Sequence, residues 1–245
     1  TFLKQKHTGS VGNGISRGFS LNASNNCKIE LVETYNIGGP GFLVENGSSY
    51  NHILNCDSHH NGEGYDTGYG AWNTGDGFTG GTGGDITEDN TFEGCRMYIN
   101  CDDGIDFFGW SGHKVTIKNC WSFWNGVLPW KGALDPDPNN MTPENYSQIW
   151  ANGTWFTGGW GGEGFKLGGF ATGGGYPNPG NSSELRKFLS NNCAFENTGT
   201  GFTANMEAQY SHIMQIHNCI SYGNSNDGIG FGTGRSVGKI GRAHV

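Results

Sequence analysis

Two marks alternate along the whole chain. One is a glycine followed by a large apolar residue: Gly41-Phe42, Gly77-Phe78, Gly104-Ile105, Gly164-Phe165, Gly201-Phe202 and Gly228-Ile229. The other is a cysteine preceded by asparagine or glycine: Asn26-Cys27, Asn55-Cys56, Gly94-Cys95, Asn119-Cys120, Asn192-Cys193 and Asn218-Cys219. In the compact units successive cysteines stand 25 residues apart (Cys95 to Cys120) or 26 (Cys193 to Cys219). The apolar positions between the marks fall in short β-branched or aromatic runs such as Lys114-Val115-Thr116-Ile117. A helical solenoid would need amphipathic stretches of ten or more residues, and the chain has no convincing one. A repeat of this length built from short strands predicts an all-β fold, one coil of a parallel β-helix per unit. Inward Cys, Phe and Ile then stack in rows, with Asn and Gly at the turns.

Three units are longer than the rest and carry inserted loops. One lies between Cys56 and Asp76, one spans about Gly126 to Gly162, and one about Phe170 to Lys187. Loops on one side of a solenoid commonly form its binding face. The second insert is rich in tryptophan, with Trp130, Trp150, Trp155 and Trp160.

Composition narrows the picture further. Glycine supplies 45 of the 245 residues, without the three-residue period of collagen, and aromatics at 13% argue against disorder. No run of about 18 apolar residues exists, so no membrane-spanning helix is expected. The formal charge of −8 disfavours nucleic acid as a partner. It also means that an anionic substrate needs a bound cation or a local Lys or Arg. With seven cysteines, six of them at one recurring position, small buried hydrophobes in a stack are expected rather than disulfides. Sequons begin at Asn22, Asn46, Asn140, Asn145, Asn152 and Asn181, which asparagine-rich turns produce by chance. The β-helix is expected to occupy residues 1–239 as a single domain, a fragment of a longer protein. Residues 240–245 (Ile-Gly-Arg-Ala-His-Val) read as a non-native tail.

The chemistry concentrates at Asp102-Asp103-Gly104-Ile105-Asp106. Three carboxylates in five residues repel one another unless a cation or several donors share them. Aligning the glycine marks puts Asp76, Asp103 and Glu163 at one position of consecutive coils. Three residues on, Thr79, Asp106 and Lys166 share another. Adjacent parallel strands lie about 4.8 Å apart, so Asp106 and Lys166 should be neighbours across sixty residues of sequence. Converging carboxylates make a hard oxygen site of the kind that calcium accepts. No Cys/His spacing suggests zinc: His59 and His60 are adjacent, and His113 is isolated.

Asp76-Gly77-Phe78, Asn100-Cys101-Asp102-Asp103-Gly104-Ile105-Asp106, Asn119-Cys120-Trp121-Ser122-Phe123-Trp124-Asn125-Gly126 and Gly164-Phe165-Lys166-Leu167-Gly168-Gly169 together resemble polysaccharide lyase family 9. The resemblance runs over roughly residues 50 to 235, with the motifs in order. It implies a right-handed parallel β-helix, secreted and monomeric, that cleaves an acidic, galacturonate-containing pectic polysaccharide by β-elimination. It also implies Ca2+ as cofactor, with Asp76, Asp102, Asp103 and Asp106 as ligands and Lys166 as catalytic base. Two positions depart from the family pattern. Glu163 stands where Asn or Gly is expected, and Thr79-Gly80-Gly81 where many relatives carry a basic residue. The rival expectations are a β-helix hydrolase acting on pectin, which needs an acid and a base flanking a water, and a non-catalytic carbohydrate-binding β-helix. The hydrolase would need no Lys166.

Overall fold

The structure, a computed structural model, describes residues 3–6, 17–35, 37, 39–61, 75–80, 88–107, 114–127, 161–168, 185–204, 212–231 and 236–240. Most of the three inserted stretches, with Trp130, Trp150, Trp155, Trp160 and His113, lie outside these. Within them the chain forms 21 short strands and visits three sheets in a fixed cycle, seven strands to each sheet. All strand pairs are parallel. This is the expected parallel β-helix, and no described helix is long and apolar enough to cross a membrane.

The two marks have different structural causes. Each glycine opens a strand of the second sheet, and its apolar neighbour points inward. The register pairs Phe19, Phe42, Phe78, Ile105, Phe165, Phe202 and Ile229 in a single row. Phe42 and Phe78 stack with ring centroids 4.5 Å apart, and Phe165 and Phe202 at 4.8 Å. The glycines serve close approach rather than turn geometry. A Cβ on Gly104 would sit 1.9 Å from Ser122 Oγ and 2.6 Å from the Gly164 carbonyl.

The cysteine mark follows from left-handed turns. Between the third and first sheets, one residue per coil takes positive φ: Leu31 (58°), Asn55 (51°), Gly94 (65°), Asn119 (58°), Asn191 (56°) and Asn218 (50°). Asparagine tolerates this region better than most residues. The residue that follows it points into the core. Here the expected row of six cysteines needs correction. Cys56, Cys95, Cys120 and Cys219 share the inward row, but Asn192, not Cys193, faces Cys120. Asn192 Oδ1 accepts from Cys120 N at 2.8 Å, and Asn192 N donates to Cys219 Sγ at 3.4 Å. Cys193 is displaced by one residue and half-buried. Cys27 falls beside Asn51 at another corner, where Asn26 also has positive φ, and Val32 takes the place before Cys56. All seven cysteines are free thiols, as expected.

A second asparagine row, at the corner between the first and second sheets, binds coil to coil. Asn61, Asn100, Asn125, Asn197 and Asn224 follow one another. In each, the main-chain N–H and the side-chain amide both donate to the Oδ1 of the next, at 2.9 to 3.2 Å. Asn125 Nδ2 also donates to the Met97 carbonyl and to Ser122 Oγ. Asn125→Leu would strand buried donors and acceptors on two coils, each costing about 1–3 kcal/mol. The variant should unfold roughly 10 °C lower, since 1 kcal/mol moves Tm by about 2–4 °C at this size; a calorimetric scan measures it.

Lys187 was placed by the sequence at the edge of an inserted loop, yet it lies inside the strand Leu185–Ser190 and points inward. It is 1% exposed, in the row of Val115 and Met214, with Nζ 5.2 Å from the centre of the Phe107 ring. Burial pushes its amine down to about 7. The free-lysine value is about 10.4, so the unfolded chain holds the proton through the window that the folded chain has lost it. The destabilisation is therefore full below about pH 7 and fades as pH rises toward about 10. Lys187→Met should be more stable than the parent, with a gap in Tm that is largest below pH 7 and narrows toward pH 10.

Candidate active site

Three neighbouring strands of the second sheet carry the acids and the lysine: Phe78–Gly80, Ile105–Asp106 and Phe165–Lys166. Their register pairs Thr79 with Asp106 and Asp106 with Lys166. The same register sets Asp76, Asp103 and Glu163 in line two residues before the paired aromatic and isoleucine positions. Both rows are those expected from the glycine marks.

The main chain fixes the carboxylates before any side chain does. Asp103 N donates to Asp76 Oδ1 at 3.1 Å, and Glu163 N donates to Asp103 Oδ1 at 2.8 Å. Each acid thus accepts the amide of the next coil. Lys166 Nζ then reaches back to two carboxylates of the preceding coil, donating to Asp103 Oδ2 at 2.8 Å and Asp106 Oδ2 at 3.1 Å. Its side chain is 13% exposed, against 0% for Asp103 and 10% for Asp106. The lysine and Asp106 therefore reach the surface from a buried acidic floor. The Asp103 contact is not legible in the sequence, which gives rows of residues but not the tilt of a long side chain.

Asp76, Asp103 and Asp106 each present a carboxylate oxygen, all within 4.8 Å of one another, in a grouping able to hold a metal ion. Asp102 stands beside this triad, 1% exposed, and neither of its oxygens has a hydrogen-bond partner. Gly161 closes over it, since a Cβ there would meet Asp102 Oδ1 at 1.6 Å. The backbone of Gly161 has φ of 139°, in the left-handed half of the map that glycine alone adopts freely.

The protonation pattern shows the strain of this crowding. Burial first, then Asp103 and Asp76, pushes the Asp102 carboxyl up to about 12. Asp103 is pushed up to about 8, by burial above all, with Lys166 opposing. Asp76 is likewise raised well above the carboxylate range by burial and by Asp106 and Asp103. Burial works to lower the Lys166 amine, but Asp103, Asp106 and Asp102 outweigh it and hold the ammonium above its ordinary value. Buried carboxyls that cannot ionise together, two orphaned oxygens and clustered ligand atoms are what a hard divalent cation would relieve. The residues present fit such an ion.

A parallel β-helix with an acid-and-lysine wall on one of its three sheets defines the structural class. The family model described as "Pel9A-like, right handed beta helix region" matches residues 4–237, and the chain belongs to that family. It is 33% identical over 204 residues to pectate lyase L of Dickeya chrysanthemi, and 32% identical to pectate lyase L of Dickeya dadantii (strain 3937). Each match covers 83% of this chain but only 37% of the relative, so the chain spans well under half of the length of those proteins. The crystal structure of pectate lyase Pel9A superposes with a TM-score of 0.55 at 23% identity, covering 91% of this chain and 50% of that one. A rhamnogalacturonan lyase structure superposes at 0.56 with 25% identity, covering 91% and 47%.

Asp102 offers a direct check on the crowding. Its carboxyl has a folded value near 12 against about 3.9 when free. A group raised in this way contributes stability below about pH 4 that is lost as pH rises toward the folded value. Asp102→Asn removes the ionisable group with little change of shape. With chelator present, the variant should match the parent near pH 4 and be the more stable of the two at pH 8; unfolding in guanidinium at both pH values tests this.

Proposed function

We propose that this chain is the catalytic β-helix of a calcium-dependent polysaccharide lyase, cleaving an acidic, galacturonate-containing pectic polysaccharide by β-elimination. The observation that carries the reading is the Lys166 amine held at the surface of a buried carboxylate cluster by Asp103 and Asp106. Membership of the Pel9A-like family supports it, as do relatives named pectate lyase. Asp76, Asp103 and Asp106, with Asp102 behind them, are the residues that would hold the cation. Bound there, calcium supplies positive charge that offsets both the carboxylate field on Lys166 and the carboxylate of a bound uronate.

Lys166 is the general base. It takes the hydrogen at C5 of a uronate, whose acidity comes from the adjoining C6 carboxylate, and the C4–O bond to the leaving sugar then breaks. A C4–C5 double bond remains at the new non-reducing end. The two carboxylates that aim the amine also favour its protonated form, so turnover should rise with pH through the alkaline range as the amine loses its proton. Thr79 Oγ1 donates to the Asp106 carbonyl at 3.0 Å and fixes the strand end that presents Asp106.

The hydrolase reading fits the geometry less well. An inverting pair stands about 6.5–9.5 Å apart and a retaining pair about 5–5.5 Å. Here Asp76, Asp103 and Asp106 bring oxygens within 4.8 Å of one another, and Asp103 and Asp106 share a lysine. Polygalacturonate and rhamnogalacturonan are the substrates to test, with and without chelator, by the absorbance of the unsaturated product. Lys166→Ala should lose about 10²–10⁴ in rate, the usual share of a general base, while calcium affinity stays within several-fold of the parent. Near-parental turnover in that variant would reduce Lys166 to a salt-bridge partner and end the lyase mechanism.

A further inference from the structure

Glu163 continues the row of Asp76 and Asp103 into the next coil, by the register that pairs Ile105 with Phe165. Its main-chain N–H is committed to Asp103 Oδ1 at 2.8 Å. Its Oε2 is buried and has no hydrogen-bond partner. An acceptor so placed costs about 1–3 kcal/mol, more when charged. Asp102, next to Asp103 in the chain, contributes two further orphaned oxygens from a side chain that is 1% exposed. Orphaned oxygens on the residue before Asp103 and on its row neighbour in the next coil indicate a ligand larger and more highly coordinated than the Asp76, Asp103 and Asp106 triad alone would serve. Calcium takes six to eight oxygens in loose geometry, whereas magnesium demands a tight octahedron.

We propose that Glu163 is a fifth carboxylate toward the cation of this site and that it biases the site to calcium over magnesium. The inference rests on the reading that Asp76, Asp102, Asp103 and Asp106 hold a cation. A ligand must also be told apart from a distant negative charge. Asp227 provides that control: it occupies the same row two coils further on, opposite Thr200, and is exposed.

The test is calorimetric titration of the metal-free protein with calcium chloride and then magnesium chloride. It compares the parent, Glu163→Gln, Glu163→Asp and Asp227→Asn in about 0.1 M and about 1 M sodium chloride, where the screening length falls from about 10 Å to about 3 Å. Glu163→Gln should weaken calcium at least about tenfold at both salt concentrations while magnesium changes about twofold or less, as expected when a ligating carboxylate becomes a neutral amide with a single acceptor oxygen. Glu163→Asp, which keeps the charge on a shorter arm, should fall between parent and Glu163→Gln, and Asp227→Asn should stay with the parent. Melting with chelator confirms that each variant is folded. Calcium affinity unchanged in Glu163→Gln, a loss that vanishes in high salt, or an equal loss in Asp227→Asn overturns the ligand role alone. Absence of calcium binding by the parent overturns both the ligand role and the cation reading beneath it.

Discussion

The structure depends on vertical register. A β-helix coil has no hydrophobic core of its own, and each coil is held to the next by main-chain pairing plus side-chain amides that cannot slip. The row Asn61, Asn100, Asn125, Asn197, Asn224 supplies two hydrogen bonds per step into buried surroundings. A slip of one residue would break every step and turn the inward aromatic row to solvent. The row sits at the corner that leads into the second sheet, immediately before the strands that carry the acids. The placement of Asp103 under Glu163, and of Asp106 beside Lys166, is therefore a product of asparagine geometry as much as of the acids themselves.

This constraint explains what the sequence reveals. The glycine mark is reliable because the same close approach recurs coil after coil: a Cβ would meet Ser58 and Asn61 at Gly41, Ser122 and Asn125 at Gly104, and Ser221 and Asn224 at Gly201. Rows counted from it put Asp76 with Asp103, and Asp106 with Lys166, across any length of intervening chain. The cysteine mark is less reliable because its cause is not unique. A left-handed residue followed by an inward one recurs at all three corners of a coil, as at Tyr50-Asn51, Asn55-Cys56 and His60-Asn61, so Asn26-Cys27 and Asn55-Cys56 look alike yet lie in different rows. The pair Asn191-Asn192 hides the true position one residue before Cys193. Lys187 escaped notice for another reason, since a lysine that follows Arg186 directly reads as part of a charged loop edge.

What rows cannot convey is how much charge the fold tolerates in one place. The wall reads in sequence as acids and a lysine on neighbouring strands. The structure adds that the acids are buried, that Lys166 spans two of them, and that Asp102 and Glu163 keep oxygens without donors. Charge is thus held in unfavourable burial, and main-chain bonds from Asp103 N to Asp76 and from Glu163 N to Asp103 keep the carboxylates in line.

The asparagine row also shows what the fold permits between its coils. Asn100 and Asn125 are 25 residues apart, while Asn125 and Asn197 are 72 apart, yet the hydrogen bonds at the two steps have the same form and nearly the same lengths. Closing the longer excursion costs only about 1 kcal/mol more in chain entropy, on a logarithmic dependence on length. That is roughly the net worth of one hydrogen bond. A lineage built on such a coil can therefore lengthen the chain between the coils that carry Asp106 and Lys166 by tens of residues for the free energy of a single contact, without the scaffold having to be reinvented.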